Sequence, residues 1–391
     1  MPLGEYVSMP YSKYHWTRDW DQDFIRINNN RSKALFELDS TTGKQRQDII
    51  LDTLALKLKI PKAGIITNLD ESNKRKLNEF ILKNLKYYQI PGASLAIFNK
   101  NGIIFSENYG FKNPISREPV TARTLFEVGS ITKPVFTFTV LRLAEKQKID
   151  LDKPLYHYLP FKDVAHDDRY KLITARHVLS HQTGFPNWAH RNEKGQFDLL
   201  FEPGTKFGYS GEAFEYLKRV VVHITGKDIE TNLENELINP LDLQNFYFKT
   251  TDYVQKNAAD AIYRGIPSKI RFIEEPGMAY SLVTTSSDFI DFALTIANRK
   301  GLTDEMYTEM FKNHISVNEN VYRGLGLEIG SDSTGEFYGH SGITRDFVSV
   351  YKYYPDLERG YVFLTNNITG LWLTLIHLNK FLVTGDTNKM I

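Results

Sequence analysis

The stretch Phe126-Glu127-Val128-Gly129-Ser130-Ile131-Thr132-Lys133, continued by Pro134-Val135-Phe136-Thr137-Phe138-Thr139-Val140-Leu141, decides how the rest of the chain is read. From Val135 to Ala144 nearly every residue is apolar or threonine. A helix with that composition is apolar all round and is therefore buried on most sides. Proline lacks an N–H and clashes with the preceding turn, so Pro134 is tolerated only near a helix start, which puts that start at about Ser130. Gly129 permits close backbone approach. Ser130 and Lys133 then lie three apart on the first turn, within reach of each other. The unpaired N–H groups and positive partial charge of a helix N-terminus favour negative charge developing at the serine oxygen. By itself, Ser-x-x-Lys is also the pattern of a capping serine beside a solvated lysine.

Two more stretches join it. Phe201-Glu202-Pro203-Gly204-Thr205-Lys206-Phe207-Gly208-Tyr209-Ser210-Gly211 is a Pro/Gly-rich loop that runs into a helix with Tyr209 at its mouth. Gly339-His340-Ser341-Gly342-Ile343 stands at the end of a strand, where glycine lets another backbone lie against it. The order Ser-Ile-Thr-Lys, Tyr-Ser-x, His-Ser-Gly resembles the serine β-lactamase and penicillin-binding-protein superfamily, in its branch of class C β-lactamases, D-Ala-D-Ala carboxypeptidases, D-aminopeptidases and related esterases. Supporting phrases are Thr124-Leu125-Phe126-Glu127-Val128-Gly129-Ser130, His177-Val178-Leu179-Ser180-His181-Gln182-Thr183-Gly184, Glu202-Pro203-Gly204 and Leu364-Thr365-Asn366. The similarity runs from about residue 70 to the end.

The resemblance implies a β-lactamase-like α+β fold: an antiparallel sheet flanked by helices, with an all-helical lobe inserted. It divides the chain into an N-terminal extension, 1–69, and a hydrolase domain, 70–391, with its sheet lobe at about 70–123 and 276–391 and its helical lobe at about 124–275. It implies Ser130 as nucleophile, Lys133 and Tyr209 sharing the proton work, and His340 supporting the positive potential of the site. The oxyanion hole falls to the backbone amides of Ser130 and Ile343. Ser341, Gly342, Gly211 and Arg345 are expected to meet the substrate. Neither lysine nor tyrosine is a base at neutral pH while its pKa stays near 10, so one of them must be perturbed. A desolvated Lys133 would shift toward the neutral amine or would hold Tyr209 as a phenolate, and the sequence does not choose between these.

Two departures from the family pattern bear on substrate. Gly211 stands where many relatives carry an asparagine whose amide contacts an acylamide, which favours esters or D-amino-acyl derivatives over β-lactams. In Thr344-Arg345-Asp346-Phe347, relatives commonly have glycine before the aromatic; Arg345 either meets a substrate carboxylate or pairs with Asp346. The same constellation also serves β-lactamases and D-Ala-D-Ala carboxypeptidases, and penicillin-binding sensors that acylate and stall. His177 and His181 have the spacing of two metal ligands on a helix. With no glutamate in the metalloprotease arrangement they imply no metal, and no cofactor is called for.

Composition narrows the rest. The 391 residues exceed one ordinary core, so two lobes or a domain with an extension are expected. With 48 basic and 47 acidic side chains no overall field draws nucleic acid to the protein. The partner expected is a small ester, amide or peptide-like substrate, and oligomeric state is left open. There is no cysteine, hence no disulfide or thiol nucleophile. No apolar run reaches the roughly 18 residues of a membrane span. Met1 to Trp20 lacks a basic-then-apolar signal pattern. This places the protein in the cytoplasm if Met1 is the native start, and in the periplasm or cell envelope if a leader was removed.

Residues 1 to about 68 hold Tyr6, Tyr11, Tyr14, Trp16, Trp20 and Phe24, aromatic enough to be expected to pack on the main body. Helices are expected from Asp70 or Ser72 with a Leu77, Ile81, Leu85, Tyr88 stripe, over 212–225 with a Gly226 stop, over 286–297, and over 371–382. Strands are expected at 93–98, 103–108, 325–329, 336–340, 347–353 and 361–365.

Overall fold

The computed structural model describes residues 69–263, 266–332, 334–344 and 346–368, together with Leu378. Helix α1 spans Glu71–Tyr88; the Asp70 side chain caps it by accepting from the Asn73 N–H at 2.8 Å. Its buried side includes Leu77, Phe80, Ile81 and Leu85, with Tyr88 only half-buried. Each such buried side chain contributes about 1.5–3 kcal/mol, so packing holds α1 down more than helix propensity does.

Strands β1 (Gly92–Asn99) and β2 (Gly102–Asn113) form the expected hairpin, closed at Gly102 with φ +140°, and β3 (Glu118–Pro119) follows. Strand β4 (Phe126–Glu127) leads through a 3-10 turn at Gly129–Ile131 into α2 (Thr132–Glu145). Pro134 is the third residue of α2, where its missing N–H leaves no intrahelical bond unmade. Then come α3 (Ala175–Leu179), α4 (Gly211–Thr225), the hairpin β5 (Ala261–Tyr263) and β6 (Ile266–Ser268), and β7 (Val283–Thr284). Next are α5 (Ser286–Ala297) and α6 (Asp304–Phe311). The chain then runs through β8 (Ile315–Asn318), β9 (Val321–Arg323), β10 (Glu328–Asp332), β11 (Gly335–Ile343), β12 (Val348–Tyr354) and β13 (Arg359–Thr365).

A nine-stranded sheet has the order β3-β2-β1-β13-β12-β11-β10-β9-β8, and every pairing in it is antiparallel. Strand β1 lies against β13, Ala93 opposite Thr365, so the two sequence ends of the fold meet at its centre. Among the described residues, the chain between β3 and β8 adds no strand to this sheet. This is the β-lactamase-like architecture. One face buries Leu95, Ile97, Val350 and Phe363 with α1; the other buries Ala96, Phe98, Tyr351 and Leu364 in the larger core that contains α2. With both faces covered, β12 and β13 are buried at every position, Ser349, Lys352, Arg359 and Thr365 included.

The strand expected at 325–329 starts three residues later. Gly326 turns there with φ +70°, its backbone so close to α2 that a Cβ would fall 2.1 Å from Thr137 Oγ1. Asn366 clamps the sheet end: its Oδ1 accepts from Gly92 N (2.9 Å) and its Nδ2 donates to Asp260 O (3.1 Å). The expectations for residues 1–68 and for a helix over 371–382 lie outside the described residues, except at Leu378, which is buried with the α1 cluster. No helix among the described residues is long and apolar enough to cross a membrane.

Candidate active site

The turn carrying Ser130 is fixed from two sides. On one, β4 pairs with β7, and the Val128 N–H donates to Leu282 O at 3.0 Å. On the other, the end of β11 is pressed against it. An added Cβ on Gly342 would lie 2.0 Å from Val128 O and 2.9 Å from Ser130 N, and one on Gly129 would lie 3.2 Å from Ile343 N. Gly129 also takes φ +51°, which a side chain disfavours. Glycine at both positions brings the Ser130 and Ile343 amides together. Ser349 reinforces the junction by donating from Oγ to Val128 O at 2.7 Å.

Lys133 lies one turn on, 1% exposed. Its Nζ is 3.1 Å from Ser130 Oγ and donates to Ala279 O at 2.8 Å. The aromatic rings of Tyr209 and Phe214 stand 4.8 and 5.5 Å from it. Burial lowers its pKa from 10.5 to about 7; the charge of Glu215 opposes that shift, and that of Arg323 adds to it. Glu215 is tied to the same loop, accepting from Ala279 N at 3.0 Å.

The Tyr209 ring stacks on His181, with centroids 4.2 Å apart and planes 28° apart. His181 Nδ1 accepts from Ser210 N at 3.1 Å, so its proton resides on Nε2. Burial pushes its pKa well below the ordinary value, in keeping with a neutral ring. His177, four residues earlier, closes a capping box with Thr174 at the start of α3. The two histidines spaced like metal ligands thus hold backbone. Among the described residues no group of three His, Cys, Asp or Glu is arranged to hold a metal ion.

His340 lies on β11 and is buried. Its Nδ1 donates to Ser341 O at 2.6 Å, while Nε2 is buried and has no hydrogen-bond partner among the described residues. Burial, then the charges of Arg323 and Lys133, push its pKa well below the usual range, which disfavours the charged ring. A cation whose field does reach Lys133 is Arg323 on β9, which motif reading missed. Only 6% exposed, its guanidinium carbon lies 5.4 Å from the Phe207 ring centroid and 5.7 Å from that of Tyr209. Its Nη2 is 3.3 Å from Glu328 Oε2. A charged residue inside the strand-like run Val321-Tyr322-Arg323 was the available signal, because arginine is rarely buried without a specific reason.

Gly211 opens α4 and donates from N to Asn187 O (3.1 Å) and Oδ1 (2.9 Å). A Cβ there would lie 2.6 Å from Trp188 Cζ2, so an indole fills the space in which a side chain at 211 would stand. Trp188 in turn meets Tyr280 edge to face, with centroids 5.7 Å apart. Ser341 is half-buried beside Gly342, and Arg345 lies outside the described residues.

The fold and this constellation define a β-lactamase-like serine hydrolase class. The Beta-lactamase family model matches residues 77–370, and the chain belongs to that family. Protein flp of Staphylococcus aureus (strain N315) is 22% identical over 343 residues, which cover 81% of this chain and 68% of its own length. Esterase EstB of Burkholderia gladioli is 24% identical over 214 residues, 48% of this chain and 54% of EstB. Among solved structures, the octameric penicillin-binding protein homologue from Pyrococcus abyssi superposes with a TM-score of 0.69 at 20% identity, over 81% of this chain and 78% of that one. A class C β-lactamase superposes at 0.68 and 20% identity, over 81% and 98% of the two chains. EstCE1, described as a hydrolase with promiscuous acyltransferase activity, also gives 0.68 and 20%, over 80% and 98%.

Proposed function

We propose that the protein hydrolyses esters through an acyl-enzyme on Ser130. The observation that carries this reading is the buried Lys133 amine 3.1 Å from Ser130 Oγ, with a pKa lowered to about 7. An amine that is largely free base just above neutrality can take the hydroxyl proton as Oγ attacks the ester carbonyl. The amides of Ser130 and Ile343 receive the oxyanion of the tetrahedral intermediate. Collapse breaks the bond to the alkoxide, which takes the proton back from Lys133 with the Tyr209 hydroxyl relaying. Water then attacks the acyl-enzyme by the reverse proton path and releases the acid. The Lys133 contact favours the amine over a Tyr209 phenolate as the group that first accepts the proton. His340, neutral and bonded to Ser341, acts by positioning β11.

Esters are favoured over amides because Gly211 presents no amide to an acylamide, and an alkoxide departs with less protonation than an amine needs. The esterase and acyltransferase relatives point the same way. Burst amplitude and steady-state rate, compared on p-nitrophenyl esters, nitrocefin and a D-Ala-D-Ala peptide, test the proposal. It expects steady turnover of esters with kcat/KM at least tenfold above the cephalosporin. A stoichiometric burst followed by silence would identify a sensor, and a tenfold preference for nitrocefin or peptide would identify a β-lactamase or carboxypeptidase. Either outcome would overturn the ester assignment.

A further inference from the structure

We infer that Glu215, paired with Lys218, is a positioning residue for the proton transfer at Ser130: the two side chains grip the turn whose carbonyl holds Lys133. This rests on the acyl-enzyme reading above. Both project from α4 and lie three apart, hence on one face of the helix. Glu215 Oε2 pairs with Lys218 Nζ at 2.8 Å. Glu215 Oε1 accepts from Ala279 N at 3.0 Å, and Lys218 Nζ donates to Pro276 O at 2.9 Å. The turn 276–279 is thus held at both ends, and Ala279 O accepts from Lys133 Nζ at 2.8 Å. Inside the turn Met278 and Ala279 are fully buried, and Gly277 O accepts from both Tyr280 N and Ser281 N.

The same helix sets the other side of the amine. Tyr209 stands directly before the Ser210 cap of α4 and Phe214 directly before Glu215, and their rings lie 4.8 and 5.5 Å from Lys133 Nζ. One rigid element therefore carries both the rings against which the amine lies and the grip on the carbonyl that receives its hydrogen bond. Displacing that carbonyl displaces Nζ, which is 3.1 Å from Ser130 Oγ. A misplacement of about 1 Å at a reacting group costs up to about a hundredfold in rate. A carboxylate also acts through its field. In direct contact with Lys133 it would hold the ammonium and silence the base. Bound instead to Ala279 N and Lys218, it opposes part of the shift that burial imposes, and the amine stays at about 7. From other elements Lys133 is faced by Arg323 of β9, whose charge acts the opposite way, by the Tyr209 ring, and by buried His181 and His340, whose charged forms burial disfavours.

The rate at which a fluorophosphonate modifies Ser130, followed by intact mass from about pH 5 to 9, tests this without requiring turnover or a particular ester. Glu215→Gln keeps an acceptor for Ala279 N but removes the charge that favours the ammonium, so the Lys133 pKa falls. Its acid limb should move to lower pH by about half a unit. At about pH 5.5 it should then retain about threefold more of its own plateau rate than the wild type does. Glu215→Ala removes the grip as well: its plateau should fall about tenfold or more, with Glu215→Gln recovering most of that loss. A limb that stays in place or moves to higher pH, or equal plateaus for the two variants, would make Glu215 a packing residue and overturn the inference. If wild-type Ser130 does not label, the acyl-enzyme reading fails and takes the inference with it; a labelled wild type with an unmoved Glu215→Gln limb sinks the inference alone. Should Glu215→Ala not fold by circular dichroism, the limb of Glu215→Gln decides.

Discussion

Replacing Lys133 with methionine should make the protein more stable at neutral pH while removing its chemistry. The amine is 1% exposed, lies against the rings of Tyr209 and Phe214, and bonds to a hydroxyl and a carbonyl, with no ion pair to a carboxylate among the described residues. Its pKa is about 7 when folded, against 10.5 ordinarily. Below pH 7 both folded and unfolded chains carry the charge, and the penalty for burying it is full. Between 7 and 10.5 the unfolded chain binds the extra proton, so wild-type stability rises with pH across that window. The gap of about 3.5 pH units, at about 1.4 kcal/mol each, gives a penalty of about 4–5 kcal/mol at pH 7 and about 1–2 kcal/mol at pH 9.5. Methionine leaves Ala279 O without its donor, which costs about 1–3 kcal/mol. Lys133→Met should therefore be more stable than wild type by about 1–4 kcal/mol at pH 7, an advantage that vanishes by pH 9.5. Urea unfolding followed by tryptophan fluorescence at the two pH values measures this. A variant less stable at pH 7, with a deficit that does not change with pH, would refute the claim that the lysine is held as a penalised buried amine.

Arg323→Gln removes a cation that lowers the Lys133 pKa, so the acid limb of the kcat/KM profile should move to higher pH, with the loss largest below neutrality and Arg323→Lys restoring most of it. An equal loss at every pH, with the limb unmoved, would make Arg323 a packing residue only. Gly342→Ala sets a methyl group 2.0 Å from Val128 O and 2.9 Å from Ser130 N, forcing β11 off the Ser130 turn. It should lower kcat on p-nitrophenyl acetate by about 10²–10³ with the circular dichroism spectrum retained, and a variant within threefold of wild type would contradict the oxyanion geometry.

What could be read from sequence was local. The Ser130–Lys133 pair was legible because residues three apart on a helix must be neighbours, and α4 because Gly226 ends it with a left-handed φ of +65°. Caps and turn glycines likewise outlined α1 and the β1–β2 hairpin. The illegible parts depend on distant elements. Arg323 reaches the Tyr209 ring from a strand of three residues next to the sheet edge, too short for any alternation to announce it. His340 carries the same residue type whether charged or neutral; burial decides, and burial is a property of the whole packing. Gly211 read as a lost amide, whereas the space beside it belongs to Trp188, twenty-three positions earlier in the chain. The β8–β9 pair escaped because short, half-exposed edge strands around Asn318-Glu319-Asn320 show no apolar period.

The central claim is that Ser130 is the nucleophile, and covalent capture tests it most directly. Purified protein is treated with a fluorophosphonate at pH 8, its intact mass recorded, and the modified peptide sequenced by tandem mass spectrometry. One phosphonyl adduct per chain, carried by Ser130, and none on Ser130→Ala, is the predicted result. An adduct on another residue, or ester hydrolysis that survives in Ser130→Ala, would contradict it.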